Sequence, residues 1–302
     1  MDRVEGERDV LLRGRRVRLA DSGTSQVAPL RNEGDTLVLL HGCAFDHHQW
    51  NALSERLVGR HRVVAIDAPG HGGSAEIPAN ASILRAYAEV VLDVVATLEL
   101  GRVALVGHSF GAAVGLLLAT EHPEFVSRLV LISPFANRRP LRVEHRLATV
   151  PIFPSSIAMR WLRARALRDH RGGVESPEEG GSARGLLERW HQADRVDAAS
   201  RAAFRTISAL HADRTLDAQL ARLRTPTALI FGRNDPLTIA ALAPRLAREI
   251  GALRLDVLDT EHTPERELPD AVAQIVDQFV RFTPSAASTS SPVTKRPRIG
   301  TT

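Results

Sequence analysis

The chain has 302 residues, of which 44% are hydrophobic and 25% are charged, with a formal net charge of +4. This balance is ordinary for a soluble globular protein, and no block of like charge indicates a nucleic-acid partner. The single cysteine excludes an intrachain disulfide and a cysteine-based zinc site, and no apolar run is long enough for a membrane span. Because the charged first nine residues also lack the apolar core of a secretory signal, we expect a cytoplasmic protein.

Short apolar segments alternate with helical patterns along the first 134 residues. The segments that indicate strands are a hairpin at 9–20, around Arg13 and Gly14, and buried strands at 36–40, 62–66, 103–106 and 128–132. Helices are predicted at 49–57 and at 82–98, the second capped by Ser82. Buried strands that alternate with helices predict an α/β fold with a mostly parallel, doubly wound sheet.

The alternation stops after the sixth strand and resumes about ninety residues later. Residues 135–220 contain helical patterns but no buried strand, which predicts a helical cap inserted into the sheet domain. Strands at 227–231 and 253–258, with helices at 239–250 and 264–282, then complete the core. We therefore predict a core of residues 1–134 and 221–283, a cap of 135–220, and a disordered tail of 284–302 that lacks an apolar period.

Ser109 lies in the pattern Gly-His-Ser-Phe-Gly, between a buried strand and an apolar segment rich in small residues. A strand, a tight turn and a helix would hold its hydroxyl at a helix N-terminus, where backbone N–H groups favour an oxyanion. Gly107 and Gly111 flank the turn because side chains there would collide across it. Ser109 is thus predicted to be a nucleophile with a strained backbone, and a structural serine is the alternative.

A serine nucleophile needs a base, usually a histidine that a carboxylate orients. Asp235 follows the strand at 227–231, and His262 follows the strand at 253–258. Of the twelve histidines, only His262 lies after Asp235. We predict that these two residues are the acid and the base. Three alternatives stay open: Asp235 caps the next helix, Asp259 is the acid, or His262 is a surface histidine.

The loop after the strand at 36–40 is the expected source of a second oxyanion donor. The backbone N–H groups of Cys43 and Phe110 are the candidates, and Gly42 would let the backbone come close. Cys43 could instead be a nucleophile, but nothing near it in sequence supplies a base.

Three histidines near this loop raise the possibility of a metal site. They are His41, His47 and His48. No carboxylate has a ligand-like spacing to them, so we predict no metal and no cofactor, with His41 stabilising the loop.

Several motifs fall in a recognisable order: HG at 41–42, D-x-P-G-H-G-x-S at 67–74, GHSFG at 107–111, GRNDP at 232–236, and EH at 261–262 followed by E-x-P at 267–269. Together they resemble the α/β-hydrolase fold superfamily, in its esterase-like branch with a helical cap. The resemblance covers about residues 10–282 and assigns supporting roles in the elbow and loops to His41, Gly42, Gly107, His108 and Gly111. The serine argues against the epoxide hydrolase and haloalkane dehalogenase branches, and Glu261 stands where relatives usually have glycine.

The resemblance implies a serine hydrolase that cleaves an ester, thioester, lactone or related acyl bond of a fairly apolar small molecule. Alternatives are a thioesterase or cyclase with a carrier protein as partner, a C–C bond hydrolase, and a non-catalytic receptor or scaffold. No motif indicates the oligomeric state. The candidate pocket walls all lie in the predicted cap: Phe135, Phe153, Ile157, Met159, Trp161, Trp190 and Phe204.

Overall fold

The computed structural model describes residues 6–23, 36–43, 45–78, 81–134, 220–235, 238 and 240–281. Within these ranges, eight strands form one sheet in the order β1-β2-β4-β3-β5-β6-β7-β8. The strands are β1 Glu7–Leu12, β2 Arg15–Asp21, β3 Thr36–Leu40, β4 Arg62–Ile66, β5 Val103–His108, β6 Val126–Ile132, β7 Thr227–Gly232 and β8 Arg254–Leu258. The α-helices, numbered along the described chain, are α1 Asn51–Leu57, α2 Ile83–Thr97, α3 Phe110–Glu121, α4 Ala243–Ile250, α5 Pro264–Glu267 and α6 Pro269–Arg281.

The pairing of the strands confirms the predicted fold class. Strands β3 to β8 pair in parallel, whereas β1 and β2 form an antiparallel hairpin whose second strand lies antiparallel to β4. Within the described ranges, helices follow β3, β4, β5 and β7 and pack on both faces of the sheet, which is the arrangement that buried parallel strands require. The chain is therefore a mostly parallel, doubly wound α/β protein.

The sheet divides the hydrophobic core into two layers. All five positions of β3 are buried, and its side chains alternate between the layers. Val38 and Leu40 belong to the layer that contains α2, α3 and α4. Leu37 and Leu39 belong to the layer that contains α1 and α6. A strand covered on both sides has no polar face, which explains its continuous apolar sequence.

The first two strands meet in a tight hairpin at the edge of the sheet. Arg13 and Gly14 have φ angles of 47° and 76°. Positive φ at both central positions is the requirement of a type I′ turn, whose twist matches that of the flanking strands. The predicted hairpin is thus present, with Arg13 in the conformation that usually favours glycine.

The structure corrects three predicted helices. Instead of one helix over 264–282, α5 ends at Glu267 and α6 begins at Pro269, because proline cannot donate the helical hydrogen bond and excludes helical geometry at the residue before it. Leu268 accordingly has φ −131° and ψ 60°. The helices predicted at 49–57 and 239–250 each begin as a 3₁₀ turn, His47–Trp50 and Ala240–Leu242.

The predicted cap and tail lie outside the described residues, except that Leu220 falls within them and is buried. Strands β6 and β7, which precede and follow the cap in sequence, are direct neighbours in the sheet. The domain limits therefore stay predictions. None of the helices in the described ranges has the length and apolar character needed to cross a membrane.

Candidate active site

Ser109 forms the turn between β5 and α3. Its backbone has φ 49° and ψ −106°, a conformation that residues with a side chain rarely adopt. The backbone N–H of Ser109 donates to the carbonyl of Ile132 at 2.9 Å, which ties the turn to the end of β6. The serine therefore lies in the strained strand-to-helix turn that the sequence predicts, and holding it there costs about 1–3 kcal/mol.

The glycines around Ser109 permit two close backbone approaches. A Cβ on Gly107 would collide with the carbonyl of Gly111, across the turn. A Cβ on Gly111 would collide with the carbonyl of Leu40, at the end of β3. The expected collision across the turn therefore applies to Gly107, whereas Gly111 is needed so that α3 can approach the neighbouring strand.

His262 and Asp235 meet beyond the carboxyl ends of β7 and β8. The Nδ1 of His262 lies 2.7 Å from Oδ2 of Asp235, and both side chains are buried. Asp235 also accepts hydrogen bonds from the backbone N–H and the hydroxyl of Thr238. Burial by itself raises the pKa of Asp235, but the hydrogen bonds from His262 and Thr238 outweigh it and hold that pKa below its usual value. Asp235 is thus a buried, charged carboxylate that is hydrogen-bonded to the imidazole of His262.

The segments that follow β7 and β8 carry the two candidate acids, Asp235 and Asp259. Asp259 is exposed, and its carboxylate accepts from the Asn234 amide at 3.0 Å. The bond from Thr238 to Asp235 shows that Asp235 also stabilises the turn after β7, so its turn role and its contact with His262 coexist. The described structure therefore brings Asp235, and not Asp259, to His262.

Glu261, the departure from the family pattern, contributes its backbone to the same loop. Its N–H donates to Oε2 of Glu267 at 2.8 Å, and its carbonyl packs where a Cβ on Gly232 would lie. The other oxygen of Glu267 accepts from the N–H and the hydroxyl of Thr263. Glu267, from the E-x-P motif, therefore holds both residues that flank His262.

His108 links the serine turn to the loop that carries His262. Its Nε2 donates to the backbone carbonyl of His262 at 2.9 Å, and the two rings lie 4.8 Å apart at an interplanar angle of 62°. Burial, together with the nearby His262, holds the pKa of His108 well below its usual value. His108 is therefore a neutral hydrogen-bond donor. Because it directly precedes Ser109, its bond holds the His262 loop next to the serine turn.

The loop after β3 is held by His41 and Gln49. The Nε2 of His41 accepts from the N–H of Ala68 at 2.8 Å, so its Nδ1 carries the proton and donates to the carbonyl of Gly42 at 2.7 Å. The N–H of Gly42 donates to Oε1 of Gln49 at 2.9 Å. A Cβ on Gly42 would collide with the ring of His108. These contacts fix the backbone on which Cys43 lies.

Cys43 and Phe110 carry the two predicted oxyanion donors. Burial raises the pKa of the Cys43 thiol to about 12, so the side chain is a neutral thiol at physiological pH. This state argues against the alternative that Cys43 is a nucleophile. Phe110 is the first residue of α3, and its N–H has no carbonyl partner within the helix.

Gln49 and Glu265 form a buried pair that the sequence analysis missed. The Nε2 of Gln49 donates to Oε1 of Glu265 at 2.6 Å, across 216 positions of sequence. Burial raises the pKa of Glu265 to about 7, and its Oε2 has no hydrogen-bond partner among the described residues. Because Gln49 also accepts from the N–H of Gly42, the pair links the loop after β3 to α5, which begins two residues after His262. No motif or spacing in the sequence relates Gln49 to Glu265, because they lie far apart along the chain.

The seven predicted pocket residues lie outside the described part of the chain, so their placement stays a prediction. The described residues thus define the sheet edge that carries Ser109, Asp235 and His262, but not the surface that would contact a substrate.

Comparisons with known proteins give the chain its family. Residues 37–275 match the model of the alpha/beta hydrolase family. A pimeloyl-[acyl-carrier protein] methyl ester esterase of Aromatoleum aromaticum is 33% identical over 262 residues, which cover 81% of this chain and 98% of the relative. The crystal structure of a hydrolase from Pseudomonas aeruginosa PA01 superposes with a TM-score of 0.71 at 26% identity, covering 92% of this chain and 99% of that one.

Another relative is similar to this chain over less than half of either protein. An uncharacterized protein of Mycobacterium tuberculosis is 32% identical over 130 residues, which cover 43% of this chain and 38% of the relative. The chain therefore spans about two fifths of that protein. Because the family model covers most of the present chain and the sheet has the matching topology, the chain belongs to the alpha/beta hydrolase family.

Proposed function

We propose that this chain is a serine hydrolase that cleaves a carboxylic ester of a fairly apolar small molecule. The observation that carries the proposal is the buried Asp235–His262 hydrogen bond of 2.7 Å at the sheet edge where Ser109 occupies its strained turn. A nucleophile, a base and an orienting carboxylate from three separate loops are the groups that acyl transfer requires. Membership in the alpha/beta hydrolase family supports the same chemistry.

In the proposed first step, Ser109 attacks the ester carbonyl carbon and gives its proton to His262. The Nδ1 of His262 is engaged by Asp235, so Nε2 is the nitrogen that accepts the proton. The lowered pKa of Asp235 keeps its carboxylate charged, and this charge stabilises the imidazolium that forms. The carbonyl oxygen becomes an oxyanion, with the N–H groups of Cys43 and Phe110 as its proposed donors.

Collapse of this tetrahedral intermediate breaks the bond to the alkoxy group. His262 returns the proton to the leaving oxygen, which departs as an alcohol, and the acyl group stays on Ser109 as an ester. Water then attacks the acyl-enzyme while His262 takes its proton, and a second collapse releases the carboxylic acid and restores the Ser109 hydroxyl. The cycle is balanced with water alone and uses no cofactor.

One relative that is covered almost completely supports an ester among the acyl bonds. The Aromatoleum aromaticum relative is named for the methyl ester of a pimeloyl chain on acyl carrier protein, and this chain covers nearly all of its length. That relationship also supports a second candidate, an ester whose acyl chain is bound to a carrier protein. Thioester cleavage and a receptor role are left as outcomes of the substrate tests.

Labelling with a fluorophosphonate tests the nucleophile. We expect one labelled peptide, at Ser109, and no label in Ser109→Ala. Ser133→Ala is the matched control, because Ser133 also ends a strand with positive φ, 42°, while its buried hydroxyl has no hydrogen-bond partner among the described residues. The control should label like the wild type. Label at another residue, or no label on folded protein, contradicts the proposal.

Nitrophenyl esters of increasing acyl length test the activity itself. Turnover by the wild type that is lost in Ser109→Ala supports an esterase, and turnover that Ser109→Ala retains contradicts the assignment. Matched methyl esters of free and carrier-bound acids, with the corresponding thioesters, then distinguish the small-molecule substrate from the carrier-bound one. A folded wild type that binds acyl ligands but turns over none of these substrates would favour the receptor.

A further inference from the structure

Three side chains converge outside the proposed active site, between the first strand and the loop after β3. They are Glu7 on β1 and His47 and His48 in the 3₁₀ turn before α1. One potential ligand atom from each lies within 4.8 Å of the other two. We refer to these three residues as the hairpin cluster. No carboxylate has a ligand-like spacing to these histidines in the sequence, which is why no metal is predicted there. Folding brings one to them from β1.

The two separations between Glu7 and the histidines of the hairpin cluster suit a small tetrahedral ion. Oε1 of Glu7 lies 3.5 Å from Nε2 of His47 and 3.3 Å from Nε2 of His48. Zinc binds imidazole nitrogen and carboxylate oxygen at about 2.0–2.2 Å, so a tetrahedral zinc ion holds its ligand atoms roughly 3.3–3.6 Å apart. The Glu7 oxygen therefore stands at ligand-to-ligand distance from both nitrogens without a movement of the backbone.

Each histidine of the cluster has a carboxylate on its other ring nitrogen. Nδ1 of His47 lies 2.7 Å from Oδ1 of Asp67, and Nδ1 of His48 lies 3.0 Å from Oδ1 of Asp46. A carboxylate at Nδ1 holds the proton there, which turns the lone pair of Nε2 toward Glu7. This is the outer-shell arrangement that orients histidine ligands in metal sites.

The outer carboxylates are themselves held in place. Asp67 is fully buried and accepts from the backbone N–H groups of His47 and Gly73, both at 2.7 Å. Asp46 accepts from the backbone N–H of His48 at 2.9 Å. The orientation of both rings is therefore set before any ion arrives, which lowers the cost of binding one.

The Nε2 of His47 is the atom that most needs a partner. Only 3% of the His47 side chain is exposed, and Nε2 makes no hydrogen bond within the described part of the chain. Glu7 reaches it only as a long ion-pair contact. A buried polar atom without a partner is costly, and a coordinated cation would remove that cost.

We propose that Glu7, His47 and His48 bind a divalent transition-metal ion, with zinc as the best match, and that the ion fastens β1 to the core. The carboxylates of Glu7, Asp46 and Asp67 supply the negative charge that such an ion needs. The partly exposed Glu7 and His48 leave a fourth position open to water. The competing occupant is a proton on His47, paired with Glu7.

Zinc titration of untagged, chelator-treated and dialysed protein tests the proposal by isothermal calorimetry. We expect one zinc ion per chain. Glu7→Gln and His48→Ala should each weaken the affinity at least about tenfold, and Asp46→Asn should weaken it by roughly 10–100-fold through the outer shell. These residues lie at the surface or in a partly exposed turn, so the variants should fold; circular dichroism checks this.

A matched control comes from a second histidine–carboxylate pair. Nδ1 of His122 lies 3.5 Å from Oε1 of Glu124, the same separation as between His47 and Glu7, and the described part of the chain forms no three-ligand group around it. His122→Ala should leave zinc affinity unchanged. Zinc should also slow hydrogen exchange of the β1 amides in the wild type and not in Glu7→Gln. No binding by the wild type, or binding that Glu7→Gln and His48→Ala leave intact, overturns the proposal and assigns the cluster to a proton-bridged ion pair.

Discussion

Glu265→Gln should make the protein more stable, and increasingly so as the pH rises. Glu265 is fully buried, its Oε1 accepts from Gln49, and its pKa is raised from the usual 4.5 to about 7 because burial disfavours the charged form. Glutamine keeps the shape of the side chain and the acceptor for Gln49, but it cannot ionise. The substitution therefore removes the cost of burying a charge while leaving the contact in place.

The pKa values of Glu265 in the unfolded and the folded chain set the sign and the size of its effect on stability. Below about pH 4.5 the carboxyl is protonated in both the folded and the unfolded chain, so Glu265 adds no pH dependence. Between pH 4.5 and about 7 only the unfolded chain releases the proton, so wild-type stability falls as the pH rises. At about 1.4 kcal/mol per pH unit, the wild type loses roughly 3 kcal/mol of its free energy of unfolding over this interval, and the loss is complete above pH 7. Glu265→Gln should show no such loss.

Thermal unfolding of both proteins at pH 5, 6, 7 and 8 measures the effect. The Tm difference should be small at pH 5 and reach on the order of 5–10 °C in favour of Glu265→Gln at pH 8. Glu55→Gln, the same substitution on the exposed face of α1, is the matched control and should show no such trend. A Tm difference that is constant across this range, or that shrinks toward pH 8, would refute the reasoning about Glu265.

Three further predictions concern the proposed site. Asp235→Asn should lower kcat on a nitrophenyl ester by roughly 10⁴ if triad chemistry operates, while Asp259→Asn should change it little; the reverse ranking would mean that the acid is misassigned. Gly111→Ala should lower the free energy of unfolding by roughly 3 kcal/mol or more, because its Cβ meets a strand carbonyl. Gly115→Ala, whose Cβ meets only the end of a leucine side chain, should lower it far less. Equal effects in urea unfolding would contradict the steric argument. Cys43, whose pKa is raised to about 12, should react with a disulfide reagent at pH 8 at least about 100-fold more slowly in folded than in unfolded protein; equal rates would show that its thiolate is accessible.

The sequence by itself determined the fold class and the placement of the motifs, because both depend on short-range patterns. The continuous apolar run of β3 is a direct consequence of burial on two faces, and it can be read without coordinates. Parallel strands bring their carboxyl ends to one edge, so residues after β7 and β8 were expected to meet. The contact between Asp235 and His262 agrees with that rule. The break at Pro269 also had a local signal, although the predicted helix ran through it.

Only the tertiary structure decided which distant side chains touch. Gln49 and Glu265 lie 216 positions apart, and no periodicity relates the loop after β3 to the helix after β8. Glu7 lies on an exposed edge hairpin, yet the pairing of β1 and β2 at the sheet edge carries it to His47 and His48. Hydrogen bonds, pKa shifts and metal coordination depend on distances of about 2–4 Å in space. Hydrophobic patterns specify which face of an element is buried, but the packing of several elements together sets those distances.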